Sequence, residues 1–251
     1  MRDIDLSGDL RPRHRETLRA LGLLAGTVPI EEWCLVGGMM VLVAARAAGH
    51  RLPRAEQTKD GDVVVDVCTR PQALRRVATT LRNYGYDIPP DAWDDEHVAR
   101  CTFVGVYAQI DVLCPDDARG EDLEADGGVQ SLAIPGGRRA LELAEPVRIY
   151  YDEEALDVEV RVPLLPGAMV VKAHAAIDGR TADQRRHIED VAALLSIVDD
   201  PSALRQRLTD DDVRAIAALA ERLADDGDVA WTGMDTATRL RGQAAARIIT
   251  G

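Results

Sequence analysis

The feature that most constrains this chain is a change of character at Pro163–Gly167. Before it, β-branched runs of strand length alternate with helical segments. After it, residues 168–178, 183–198, 202–207, 210–226 and 234–248 all read as helices, broken by Gly179, Pro201 and Gly227. The pattern predicts an α/β (α+β) part with a mixed sheet over 1–163 and an all-α part over 164–251.

Within the first part, residues 11–25 form a helical pattern with Leu18, Leu21 and Leu24 on one face. Trp33 to Val36 is a short apolar run ending at Gly37-Gly38. The following MMVLVAARAAG reads as a helix that stops at Gly49. Asp62 to Cys68 is a β-branched run of strand length, and 71–84 is a helix between Pro71 and Gly85. His97 to Val106 and Gln109 to Cys114 read as two strands, joined as a hairpin through 105–108. Val147 to Tyr151 and Leu156 to Val162 read as two more.

Charge and composition exclude some functions. A net charge of -13 is the wrong sign for a generic polyanion binder, although it leaves room for a local basic patch. Neither a membrane span nor a secretory signal is expected, because no apolar run approaches 18 residues and Met1 to Asp5 have no hydrophobic core. The expected location is cytoplasmic. Cys34, Cys68, Cys101 and Cys114 show no CxxC spacing, so they read as reduced core cysteines without a zinc site. Acidity is uneven: from Asp87 to Asp126, twelve Asp/Glu face only Arg100 and Arg119, a net of -10. Such a stretch is either a set of solvated loops or an acidic wall that attracts a cationic substrate.

Three features of the first part fit one chemistry. Gly37-Gly38, between a strand and a helix, lets backbone approach a phosphate at a helix N-terminus, though such a pair also serves ordinary turns. Thr58-Lys59-Asp60-Gly61-Asp62 precedes the next strand. In an extended segment residues i and i+2 share a face, so Asp60 and Asp62 present two carboxylates together, an arrangement suited to divalent cations. The same residues are also good turn chemistry. Asp66, further along that face, reads as an ordinary exposed strand residue. Asp111 lies inside the otherwise apolar Gln109-Ile110-Asp111-Val112-Leu113, where a carboxylate is costly unless paired or metal-bound.

A strand ending in Gly-Gly, a Thr-x-Asp-x-Asp on the next strand and a third Asp on a later one resemble the nucleotidyltransferase superfamily of polymerase-β-like fold. Residues 166–195, PGAMVVKAHAAIDGRTADQRRHIEDVAALL, narrow this. Lys172, Arg180, Arg186 and Asp190 match a Lys…Arg…basic…Asp pattern that resembles the AbiEii/MenT-type nucleotidyltransferases. Two departures stand out. The usual Asp-Ile-Asp centre is Asp60-Gly61-Asp62, and a glycine there predicts a looser strand start. The basic residue before Asp190 is also further away than in the family.

The resemblance implies a metal-dependent transfer of a nucleoside monophosphate from an NTP to an acceptor. Asp60, Asp62 and Asp111 would hold Mg²⁺ or Mn²⁺, with Asp111 as general base. Gly37, Gly38, Thr58 and Lys172 would bind the nucleotide. Lys172 otherwise reads as a lysine that snorkels out of an apolar helix face. The acceptor that the resemblance implies would be RNA or protein, as in toxin–antitoxin and abortive-infection systems, where an antitoxin would be the partner. Two other readings are a small cationic acceptor, as for aminoglycoside-modifying enzymes, and a nucleotide-binding homologue without turnover.

Overall fold

The computed structural model describes residues 1–7, 10–53, 55, 58, 60–93, 99–106, 108–151, 157–178 and 184–251. Strands and helices are interleaved up to residue 163: β1 (Arg2–Asp5), α1 (Pro12–Ala25), β2 (Trp33–Val36), α2 (Gly37–Ala47), β3 (Gly61–Val65), α3 (Ala73–Asn83), then the strands β4 (Ala99–Arg100), β5 (Thr102–Val104), β6 (Gln109–Pro115), β7 (Val129–Gln130) and β8 (Leu132–Ile134), then α4 (Gly137–Glu142), β9 (Ala144–Tyr150) and β10 (Asp157–Pro163). Helices follow: α5 (Leu165–Ile177), α6 (Gln184–Ser196), α7 (Pro201–Gln206), α8 (Asp210–Ala217), α9 (Ala220–Ala224) and α10 (Thr236–Thr250). The expected helix over 210–226 is thus two shorter ones.

The chain is a mixed α/β protein, and its main sheet is mixed. The order is β2-β3-β6-β5, with β8 also on β6. β3 runs parallel to β6 and antiparallel to β2. β5 takes the far edge of β6 over Gln109–Asp111, closing the expected hairpin with a bond from the Gly105 N–H to the Ala108 carbonyl. β8 takes the same edge over Leu113–Pro115.

A second sheet has the order β1-β9-β10. β1 was not expected from the sequence. Only Ile4 of its four residues is buried, so Arg2–Asp5 carries almost no alternation signal. It forms because β9 offers a parallel partner.

Strand β3 ends at Val65, three residues before the expected Cys68. The cause is Asp66, whose carboxylate accepts from the Thr69 hydroxyl at 2.5 Å and turns the chain. Asp66 also takes a 2.9 Å bond from Arg138, so its role is structural. Because the chain turns here, Cys68 is exposed, unlike the other three cysteines; this corrects the expectation of four core thiols. Burial pushes the Cys34 thiol up to about 12 and Cys114 up to about 11, which leaves both unreactive.

The helices beyond 163 pack on the earlier elements. α5 lies against α6, α4 and α2, and α6 also touches α2. One hydrophobic core takes residues from both sides of Pro163, among them Met40, Val64, Met169 and Leu194. Among the described residues, no helix is long and apolar enough to cross a membrane.

Candidate active site

The site is built where three chain segments meet at one end of the main sheet. Val36, the last residue of β2, pairs with Asp62 on β3, and Asp62 pairs with Asp111 on β6. In-register neighbours on parallel strands point to the same face, so the two carboxylates stand side by side. The other face carries the core: Ile110, Val112 and Cys114 are buried, whereas Gln109, Asp111 and Leu113 are half-buried.

The chain leaves β2 through Gly37, which has φ +67°. Glycine is required there twice over. The left-handed backbone disfavours any Cβ, and a Cβ would lie 2.5 Å from Cγ of Asp62 and overlap its carboxylate. Gly38 has the same relation to Thr58: a Cβ would lie 2.7 Å from Cβ of Thr58. The glycine pair therefore lets the start of α2 touch the 58–62 segment directly. α2 is eleven residues long and has no side-chain cap at its N-terminus, so the first backbone N–H groups need an acceptor from outside the helix.

A cavity of about 510 Å³ opens in front of the carboxylates. Gly37, Asp62 and Asp111 form one wall, and Lys172, Asp178 and His187 on the α5–α6 side face them. Arg100 and the apolar β8 strand close the remainder. Gln109 donates its side-chain amide to both oxygens of Asp111 at 3.2 Å. Burial raises Asp62 from 3.8 to about 7, and the charge of Asp111 adds to the shift; Lys172 acts in the opposite sense. A second carboxylate close by makes ionisation of Asp62 costlier.

Each expected site residue can now be placed. Gly37, Asp62, Asp111 and Lys172 line the one cavity. Thr58 is buried against Gly38, beneath that wall. Asp60 is half-buried just before β3, and its charge contributes to raising Asp62. Arg186 lies half-buried in the first turn of α6, while Arg180 lies outside the described residues.

One alternative falls and one expectation is corrected. Lys172 does not snorkel to solvent. Its side chain is 4% exposed and its Nζ lies 2.8 Å from Oδ2 of Asp190, itself 2% exposed. Asp190, whose spacing departs from the family pattern, is thus the counter-ion of Lys172. Nor is Gly61 a loose point in the strand. It is buried, and the space its side chain would fill is taken by Cγ2 of Thr17 and Cδ1 of Ile110, 2.7 and 2.8 Å from an ideal Cβ.

Sequence reasoning missed His187 and Asp178 as wall residues and Gln109 as the partner of Asp111. Gln109 had a readable signal, since it lies two residues before Asp111 on the same strand face. His187 and Asp178 reach the cavity only through the packing of α5 and α6.

The donor set suits a hard cation. Among the described residues, no group of three or more His, Cys, Asp or Glu side chains is arranged to hold a metal ion. The facing pair Asp62 and Asp111 instead offers two carboxylates beside an open cavity, the form in which Mg²⁺ binds through one or two carboxylates plus substrate phosphates. No protein-family model matches the chain, and no curated protein matches it.

Proposed function

We propose that the chain is a metal-dependent nucleotidyltransferase of polymerase-β-like type. The observation that carries this reading is the in-register pairing of Asp62 with Asp111 directly against the Gly37 turn. One cavity thereby offers carboxylates for a cation, the backbone at the uncapped start of α2 for phosphate and a buried lysine. The resemblance to the AbiEii/MenT-type enzymes rests on these residues and on the 166–195 pattern.

In this reading the triphosphate lies along the start of α2, where N–H groups and the helix dipole favour negative charge. Lys172 has three donors, of which Asp190 takes one, and the others serve the phosphates. The Asp190 bond holds the ammonium in place. Mg²⁺ or Mn²⁺ at Asp62 and Asp111, with Asp60 beside them, supplies charge neutralisation and a more acidic attacking hydroxyl. The acceptor hydroxyl attacks the α-phosphorus, and its bond to the β-phosphate oxygen breaks to release pyrophosphate. Asp111, aimed by Gln109, takes the hydroxyl proton.

The acceptor in this reading is RNA or protein, with an antitoxin as regulatory partner in the cytoplasm. A small cationic acceptor would need an unbroken acidic wall. Two acids of the 87–126 stretch are already paired: Asp117 with Arg138 and Asp126 with Arg75. Arg100 also lines the cavity itself.

The test is transfer of α-labelled NTP, in Mg²⁺ or Mn²⁺, to total RNA, to cell protein and to an aminoglycoside panel. Label on RNA or protein that is lost in both Asp62→Asn and Asp111→Asn supports the reading. Label on an aminoglycoside supports the small cationic acceptor. NTP binding that survives EDTA and both substitutions overturns the site.

A further inference from the structure

His14 is fully buried on α1, yet none of the chemistry above uses it. Its Nε2 lies 2.9 Å from the backbone carbonyl of Thr58, 44 residues away in sequence. A carbonyl only accepts, so Nε2 carries the proton and donates. Thr17, one turn further along the same helix, puts its methyl where a Gly61 side chain would be. The other side of Thr58 is pressed on Gly38. Thr58 and Gly61–Asp62 are therefore gripped between α1 and the start of α2, and the His14 bond adds a directional contact to the packing.

We propose that His14 is the positioning residue for the 58–62 segment: its bond to the Thr58 carbonyl sets where Asp60 and Asp62 stand relative to Asp111. This rests on the reading of those carboxylates as the cation and nucleotide site. Packing of Thr17 against Gly61 limits how closely α1 approaches but does not orient the peptide at 58. The hydrogen bond does, because a buried carbonyl deprived of its donor turns to find another. A one-residue slip or twist at 58 moves Asp62 away from its partner across the sheet. α1 thus acts on the site without touching substrate.

The experiment compares His14→Leu, which removes the donor, with His14→Gln, whose amide nitrogen reaches the place of Nε2. Amide hydrogen exchange is followed by mass spectrometry on the full chain, and Mn²⁺ alone is titrated by electron paramagnetic resonance. His14→Leu is expected to speed exchange across 58–62 on the order of tenfold, the scale of one hydrogen bond, while α5 and α10 keep wild-type protection. Mn²⁺ affinity is expected to fall by a similar factor, and His14→Gln to restore most of both. Should His14→Leu not fold, His14→Gln against His14→Asn carries the same contrast, since the shorter amide cannot reach the carbonyl. Uniform loss of protection, unchanged Mn²⁺ affinity in a folded His14→Leu, or no recovery in His14→Gln overturns the proposal. A wild-type chain that takes up no Mn²⁺ overturns the nucleotidyltransferase reading, and the exchange contrast still decides whether His14 holds the segment.

Discussion

Lys172 on α5 and Asp190 on α6 meet at 2.8 Å in a side-chain ion pair that is almost entirely shielded from water. Burying both charges costs several kcal/mol, and their mutual attraction offsets that cost only while both are present. Lys172→Ala should therefore destabilise the fold by about 3–5 kcal/mol, because it leaves a buried carboxylate alone. The double substitution Lys172→Met/Asp190→Leu removes both charges and should recover most of that loss. It should not recover NTP binding, which needs the ammonium. Thermal unfolding together with NTP titration separates the two effects. A double variant that binds NTP like wild type would show that Lys172 serves only the fold.

Asp62 supplies a pH dependence of known sign. Its folded value of about 7 lies above its ordinary 3.8, so the folded state holds this proton more tightly than the unfolded one. The stability this group contributes is fully present below 3.8 and is lost as pH rises through about 7. Asp62→Asn keeps the shape and removes the titration. The variant should melt higher than wild type at pH 8, with the difference shrinking towards pH 4. Mg²⁺ at pH 8 should raise the Tm of wild type and leave the variant unmoved, since a ligand stabilises only the state that binds it. Melting curves from pH 4 to 8, with and without Mg²⁺, check this. A Tm difference independent of pH would show that Asp62 titrates alike in both states.

At Gly61, α1 packs directly on the sheet. An added Cβ would lie 2.7 Å from Cγ2 of Thr17 and 2.8 Å from Cδ1 of Ile110. Gly61→Ala should thus cost stability on the scale of an overpacked core, about 1–3 kcal/mol. Thr17→Ser deletes the first offending methyl and Ile110→Val the second, so the triple variant should regain part of the loss. Among the described residues the Thr17 hydroxyl has no hydrogen-bond partner, so changing this side chain breaks no bond seen there. Chemical denaturation of the single and combined variants gives the coupling. Strict additivity would mean that α1 moves aside freely and does not grip the segment.

Much of this protein was decided locally and could be read from the chain alone. The apolar run Trp33–Val36 before Gly37-Gly38, the β-branched residues at 63–65 and the alternation around Asp111 specify their elements through periods of two and 3.6. The glycine pair and the two carboxylates were legible for the same reason, since each lies at a defined place in a defined element. Other features depend on contacts far apart in sequence, for which no local pattern exists. Asp62 stands beside Asp111 through the pairing of β3 and β6 in that register, and a slip of one residue would part them. Arg2–Asp5 becomes a strand only because β9 offers an edge. Asp190 found its role when α6 packed on α5, and His14 when α1 crossed the segment at Thr58. Cys68 is exposed because Asp66 turned the chain three residues before the strand's expected end. Local periodicity sets which elements form, and burial of charge and close packing between distant elements set which side chains share a site.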